Sequence, residues 1–162
     1  MMHPILVTGT PGTGKTAVAK ALADSLGCRY VDVKEVIRRH TLEESYDEKR
    51  HCGVVDEEKL KIILEEMISK SETCIIIDSH LSHFVSSDKA KLCIVTKCSL
   101  KELEKRLKER GYPDDKIKDN LECEIMQVCE SEAFDLGHNI IIVDTTSGFD
   151  AEDIKKKIEE KD

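Results

Sequence analysis

Pro4-Ile5-Leu6-Val7-Thr8-Gly9-Thr10-Pro11-Gly12-Thr13-Gly14-Lys15-Thr16 is the stretch on which the fold turns. Its first five residues are a short apolar run of the kind that forms a buried strand. From Lys15 to Leu26 the apolar Ala17, Ala21 and Leu22 recur at helical spacing, and Gly27 ends the helix as a C-cap residue. The turn between them fits GxxxxGK[ST] in full and has the strand before it and the helix after it that the motif requires. Glycines let the backbone bend and approach an anion without Cβ clashes, and successive N–H groups at a helix N-terminus then face that anion. Lys15 would reach the outer phosphates of a nucleotide, and the Thr16 hydroxyl would ligate Mg²⁺.

Outward from this turn the chain alternates. Arg29 to Val33 predicts a second strand, and residues 34–56 are charged and irregular. A helix is expected from Asp56, as N-cap, to Lys70, with Leu60, Ile63, Leu64, Met67 and Ile68 as its apolar face. Cys74–Asp78, Lys91–Thr96 and Asn139–Asp144 are continuous apolar runs of the type that marks strands buried on both faces. Helical stretches are expected near 100–110, 113–133 and 150–161. Five strands alternating with helices predict a single α/β domain over 1–162, a five-stranded parallel sheet flanked by helices.

Composition narrows the function. The 162 residues carry 25 Lys and Arg against 33 Asp and Glu, a formal charge of −8, which disfavours broad non-specific nucleic-acid binding. Trp is absent and Tyr and Phe number three each, too few for a base-stacking platform. No apolar run approaches the roughly 18 residues of a membrane span, and the start lacks a signal-peptide pattern, so a cytoplasmic protein is expected. The seven cysteines are odd in number, form no CxxC pair, and argue against a disulfide framework; Cys74 and Cys93 read as buried small hydrophobes. Charge is uneven: residues 97–118 hold eight Lys/Arg against five Asp/Glu, and residues 119–138 hold six Asp/Glu with no Lys or Arg.

Asp78 ends an apolar strand, at the sheet edge where ligands bind in open α/β folds. A carboxylate there would hold the Mg²⁺ shell, or would cap the next helix. His80 would orient a water or contact a phosphate, or be an ordinary histidine; His83 reads as structural.

The loop GTPGTGKT, the triplet Asp78-Ser79-His80, Arg110-Gly111-Tyr112 and the stretch Asp119-Asn120-Leu121-Glu122-Cys123-Glu124-Ile125-Met126-Gln127-Val128 together resemble the adenylate kinase isoenzyme 6 family, with its archaeal members and a yeast nuclear ATPase. The resemblance covers nearly the whole chain and is weakest over the last 20 or so residues. It implies a nucleoside monophosphate kinase-like P-loop NTPase fold with a short lid. It also implies broad-specificity transfer from Mg·ATP to AMP or other nucleoside monophosphates, ATPase activity, and a part in late small-subunit (16S/18S rRNA) maturation through a platform ribosomal protein. An ATP-driven assembly factor with little kinase activity is the alternative. Carried over by position, Gly12, Thr13, Gly14, Lys15, Thr16 and Ala17 would bind the donor phosphates. Lys15, Asp78 and His80 would be catalytic, with Thr16 and Asp78 at the metal. Residues 33–56 would be the monophosphate-binding insertion, with Arg38, or its neighbour Arg39, on the acceptor phosphate. Residues 108–118 would be the lid, with Arg110 on ATP, and Ser147-Gly148 would lie by the adenine. Ordinary adenylate kinases supply several lid arginines; this lid region offers Arg106 and Arg110, which predicts slower transfer and more leak to water.

Overall fold

The computed structural model describes residues 3–48 and 52–162. Its elements run β1 (Ile5–Thr8), α1 (Lys15–Leu26), β2 (Arg29–Asp32), α2 (Val33–Arg39), β3 (Glu43–Asp47), β4 (Cys52–Val55), α3 (Glu57–Lys70), β5 (Ile75–Asp78), β6 (Leu92–Lys97), α4 (Leu100–Glu109), α5 (Asp114–Ile125), α6 (Val128–Asp135), β7 (Ile140–Asp144) and α7 (Ala151–Glu160). The main sheet is parallel and five-stranded, in the order β2-β5-β1-β6-β7. β1 lies at the centre, so the loop that leaves it opens at the middle of the sheet's carboxyl edge.

Strand side chains alternate between two apolar layers. Leu6, Ile75, Ile77, Cys93 and Val95 face Leu60, Leu64 and Ile68 of α3 and Ala133 of α6. Ile5, Val7, Ile76, Leu92 and Ile94 face α1 and α7 through Val18, Leu22, Ile154 and Ile158. Each fully buried Ile or Leu contributes about 1.5–3 kcal/mol. A third, small cluster of Cys98, Leu103, Leu107 and Ile117 joins α4 to α5. Gly27 ends α1 in the left-handed conformation, and Asp56 caps α3 by accepting from the Lys59 N–H, both as the sequence predicts.

Three expectations are corrected. The described residues of 34–56 (those outside 49–51) are not irregular: Asp32 ends β2 one residue early, caps α2 by accepting from the Lys34 N–H, and β3 pairs antiparallel with β4 in a separate two-stranded sheet. The expected helix over 113–133 is two helices, because Gln127 takes a left-handed φ of 52° between α5 and α6. Cys28 and Cys74 form a disulfide. Each precedes its strand, and the parallel pairing of Arg29 with Ile75 brings the two together with Cα atoms 4.8 Å apart. Cys93 is buried and free, as expected.

Candidate active site

The phosphate loop is held from three sides. Gly9 has φ 147°, and a Cβ there would lie 2.6 Å from the Thr96 carbonyl, so β6 approaches too closely for any side chain. Gly12 has φ 93°, and its Cβ would lie 2.8 Å from Leu103 Cδ1 of α4. Thr13 Oγ1 donates to the Thr10 carbonyl at 2.6 Å and meets Thr96 Oγ1 at 2.7 Å. Thr145, just past β7, donates to the Thr13 carbonyl at 2.6 Å. The Arg106 guanidinium then bridges the Gly12 carbonyl (3.2 Å), Thr145 Oγ1 (3.1 Å) and the Thr145 carbonyl (2.7 Å), while its Nε meets Glu102 at 3.1 Å. Arg106 is thus a brace of the loop and not a free lid cation.

Within this frame Lys15 Nζ donates to the Thr10 carbonyl at 3.3 Å. Desolvation pulls its pKa from the usual 10.5 down to about 8; Cys129 and Asp78 pull it up, and the positive charges of Arg110 and Lys34 pull it down. The half-buried ammonium is therefore held in a partly desolvated, cation-flanked site that a polyanion would relieve. Thr16 Oγ1 donates to Asp78 Oδ2 at 2.7 Å, and Asp78 is buried at the end of β5. Tyr30, on the neighbouring β2, donates to the same oxygen at 2.6 Å, and burial and the two carboxylates beside it push its phenol well above the ordinary range. The Thr16 hydroxyl and the Asp78 carboxylate are hard oxygen donors in contact. Among the described residues no cluster of three or more His, Cys, Asp or Glu could hold a metal alone. Mg²⁺ is commonly bound in this way, by one or two protein groups with substrate phosphates and water completing its shell, and the site fits it.

His80 lies near the same cluster. Desolvation and the nearby Lys15, His83 and Lys34 lower its pKa to about 4, so the ring is neutral at pH 7. Arg110 ends α4. Arg38 stands apart: its side chain is 71% exposed and is paired with Glu35 at 2.8 Å, and Arg39 is exposed beside it. Ser147 and Gly148 lie in the loop after β7, where Thr146 bridges to Gly148.

His83, expected from the sequence to be structural, and several groups that the sequence did not single out hold the surroundings of the loop. His83 is fully buried, with Nδ1 2.7 Å from Thr8 Oγ1 and Nε2 2.6 Å from Glu132 of α6. Burial lowers its pKa against the pull of Glu132. The neutral ring satisfies both contacts by accepting from Thr8 and donating to Glu132. This ties α6 to the strand beneath the loop. The cleft between the loop and α6 is lined by Thr10, Thr96, Lys97, Glu124 and Cys129. Burial raises the pKa values of Glu124 and of the Cys129 thiol. No short motif announces Tyr30, Arg106 or Thr145; they are found through strand register and helix placement.

Comparison with known proteins is consistent with this geometry. A family model described as an AAA domain matches residues 5–127. A protein of Methanocaldococcus jannaschii named "Putative adenylate kinase" is 36% identical over 154 residues, covering 95% of this chain and 82% of its own length. A Caenorhabditis elegans protein named adenylate kinase isoenzyme 6 homolog is 36% identical over 129 residues, covering 80% and 71%. Among solved structures, a shikimate kinase from Acinetobacter baumannii in complex with shikimate superposes with a TM-score of 0.62 at 13% identity, covering 99% of this chain and 92% of its own. That likeness shows a shared fold.

Proposed function

Because the chain belongs to the adenylate kinase isoenzyme 6 family, we propose that it transfers the terminal phosphoryl group of Mg·ATP to a nucleoside monophosphate, AMP among them, with ATP hydrolysis as a side reaction. The observation that carries this reading is the braced phosphate loop, on which Lys15 Nζ donates to the Thr10 carbonyl and Thr16 Oγ1 donates to Asp78. Phosphoryl transfer asks little covalent chemistry of a protein; positioning and charge neutralisation do almost all of it. The loop N–H groups and the Lys15 ammonium would hold the donor phosphates, which restore the proton affinity that burial has taken from Lys15. Thr16 and Asp78 would hold Mg²⁺, which when bound spreads the negative charge of the outer phosphates.

Neutral His80 would act as a hydrogen-bonding group toward a phosphate oxygen or a water. Arg38 would reach the acceptor phosphate by exchanging its exposed pairing with Glu35, a weak surface contact, for a bidentate one. With Arg106 committed to the loop, Arg110 remains as the lid arginine for ATP. This supports slow transfer with measurable leak to water.

The ribosomal role belongs to the same proposal. The acidic stretch over 119–138 exposes Ile125, Met126 and Phe134, a combination suited to a basic, partly apolar polypeptide such as the expected platform protein. The experiment is nucleotide turnover by the purified chain with Mg·ATP, with and without a panel of monophosphates. Diphosphates formed in stoichiometric pairs support the kinase reading. Phosphate release indifferent to every monophosphate overturns it in favour of an ATP-driven assembly factor.

A further inference from the structure

Asp78 accepts two hydrogen bonds from side chains, and both arrive on one oxygen. Thr16 Oγ1 lies 2.7 Å from Oδ2 and Tyr30 Oη lies 2.6 Å from the same atom. An ionised carboxylate only accepts, so both hydroxyls are donors. Among the described residues no hydrogen bond reaches Oδ1. Tyr30 is placed by register: it stands opposite Ile76, with Asp32 opposite Asp78, so Tyr30, Ile76 and Asp78 share one sheet face. Its ring packs at the margin of the cluster under α1, as Leu26 and Cys28 do, with the Lys20 ammonium 5.4 Å from its centroid. The phenol thus reaches along the sheet toward Asp78 from a ring held by packing.

We propose that Tyr30 is a positioning residue for the metal–phosphate site, its hydroxyl fixing the rotation of the Asp78 carboxylate so that Oδ1 is presented to the divalent cation and its waters. The inference rests on the kinase reading above and names a group that the phosphate-loop motif does not contain. The terminal torsion of an aspartate is broad and roughly two-fold. With Thr16 as its sole donor the carboxylate would turn, and Thr16, itself a metal-binding hydroxyl, would turn with it. Removing such an outer partner typically lowers metal affinity or activity by about 10–100-fold.

The test is Tyr30→Phe, which keeps the ring and deletes the hydroxyl. Two readouts are taken on the whole chain: turnover against Mg²⁺ concentration at saturating ATP, and calorimetric binding of ATP with and without Mg²⁺. The expected result is a Mg²⁺ requirement raised about 10-fold or more, a fall in kcat larger than any change in KM for ATP, and unchanged binding of metal-free ATP. Mn²⁺, which binds carboxylates more tightly, should narrow the difference. A variant that loses thermal stability but keeps the wild-type Mg²⁺ dependence in both readouts overturns the proposal. Failure of the kinase reading is separate: it would show as wild-type protein that makes no diphosphate, and the Mg²⁺ dependence of ATP binding would still judge Tyr30.

Discussion

Replacing Lys15 by Met should make the nucleotide-free protein more stable while abolishing phosphoryl transfer. In the fold the Lys15 pKa falls from 10.5 to about 8, chiefly by desolvation. At about 1.36 kcal/mol per unit, keeping this ammonium charged at pH 7 costs up to about 3 kcal/mol. Methionine keeps most of the apolar stem and removes the charge. It also removes the 3.3 Å hydrogen bond to the Thr10 carbonyl, worth about 1 kcal/mol. The net gain is about 2 kcal/mol, or about 4–8 °C in Tm for a chain of this size. Between pH 8 and 10.5 the unfolded chain still holds a proton that the folded chain has released, so wild-type stability rises with pH over that interval. The advantage of the variant should therefore shrink across the same window. Urea unfolding of both proteins without nucleotide, at pH 7 and near pH 10, measures this, and Mg·ATP should then stabilise wild type alone. A Met variant no more stable than wild type at pH 7 would refute the desolvation argument.

Arg106→Ala should cost about 2–4 kcal/mol in urea unfolding and weaken ATP binding, because it releases the Gly12 and Thr145 carbonyls together; Arg106→Lys should not restore them, since an ammonium lacks the planar fork. Cys28→Ser should cost about 4 kcal/mol, the chain-entropy value for a closed loop of this sequence separation, 46 residues, and an excess of thiol reductant should match it in wild type. Equal unfolding midpoints with and without reductant would count against the bond. Glu65 is subject to desolvation, but the Lys89 ammonium and the Ser86 N–H outweigh it and hold its pKa near 2. Its contribution is complete above the ordinary value of 4.5 and is lost as pH falls toward 2, so Glu65→Gln should flatten the acid limb of the stability profile in that window.

What was legible in the sequence was whatever is local. The phosphate loop was readable because its glycines, Lys15 and Thr16 are consecutive and flanked by an apolar run and a helical pattern. The strands of the parallel sheet were readable as runs such as Ile75-Ile76-Ile77, since burial on both faces removes alternation. The β3–β4 pairing was not, because Glu43-Glu44-Ser45 has little strand propensity and forms through its pairing with β4. The break at Gln127 was hidden because no Gly or Pro marks it between α5 and α6. Within the site, Thr16 donates to Asp78, the strand-end carboxylate singled out in the sequence. Tyr30 and the Cys28–Cys74 bond depend on β2 lying beside β5, a neighbour 43 residues on from the end of β2 at Asp32 to the start of β5 at Ile75. Arg106 was read as a lid charge because nothing in its helix shows that its fork closes on two backbone carbonyls.

The bracing of the phosphate loop also bears on the order in which the protein is made. The loop, complete in sequence at Thr16, leaves the ribosome before the elements that brace it. The groups that shape it come from Thr96, Arg106 and Thr145, the last of them 132 residues beyond the Thr13 carbonyl that it holds. A nascent chain therefore carries the nucleotide motif until β6, α4 and the residues after β7 have been made, without the contacts that give it form, and contacts of such separation close late. Capture of ATP by this chain would mark the completion of the fold, so a stalled or truncated product ending before β7 would be unable to compete for nucleotide with the finished protein.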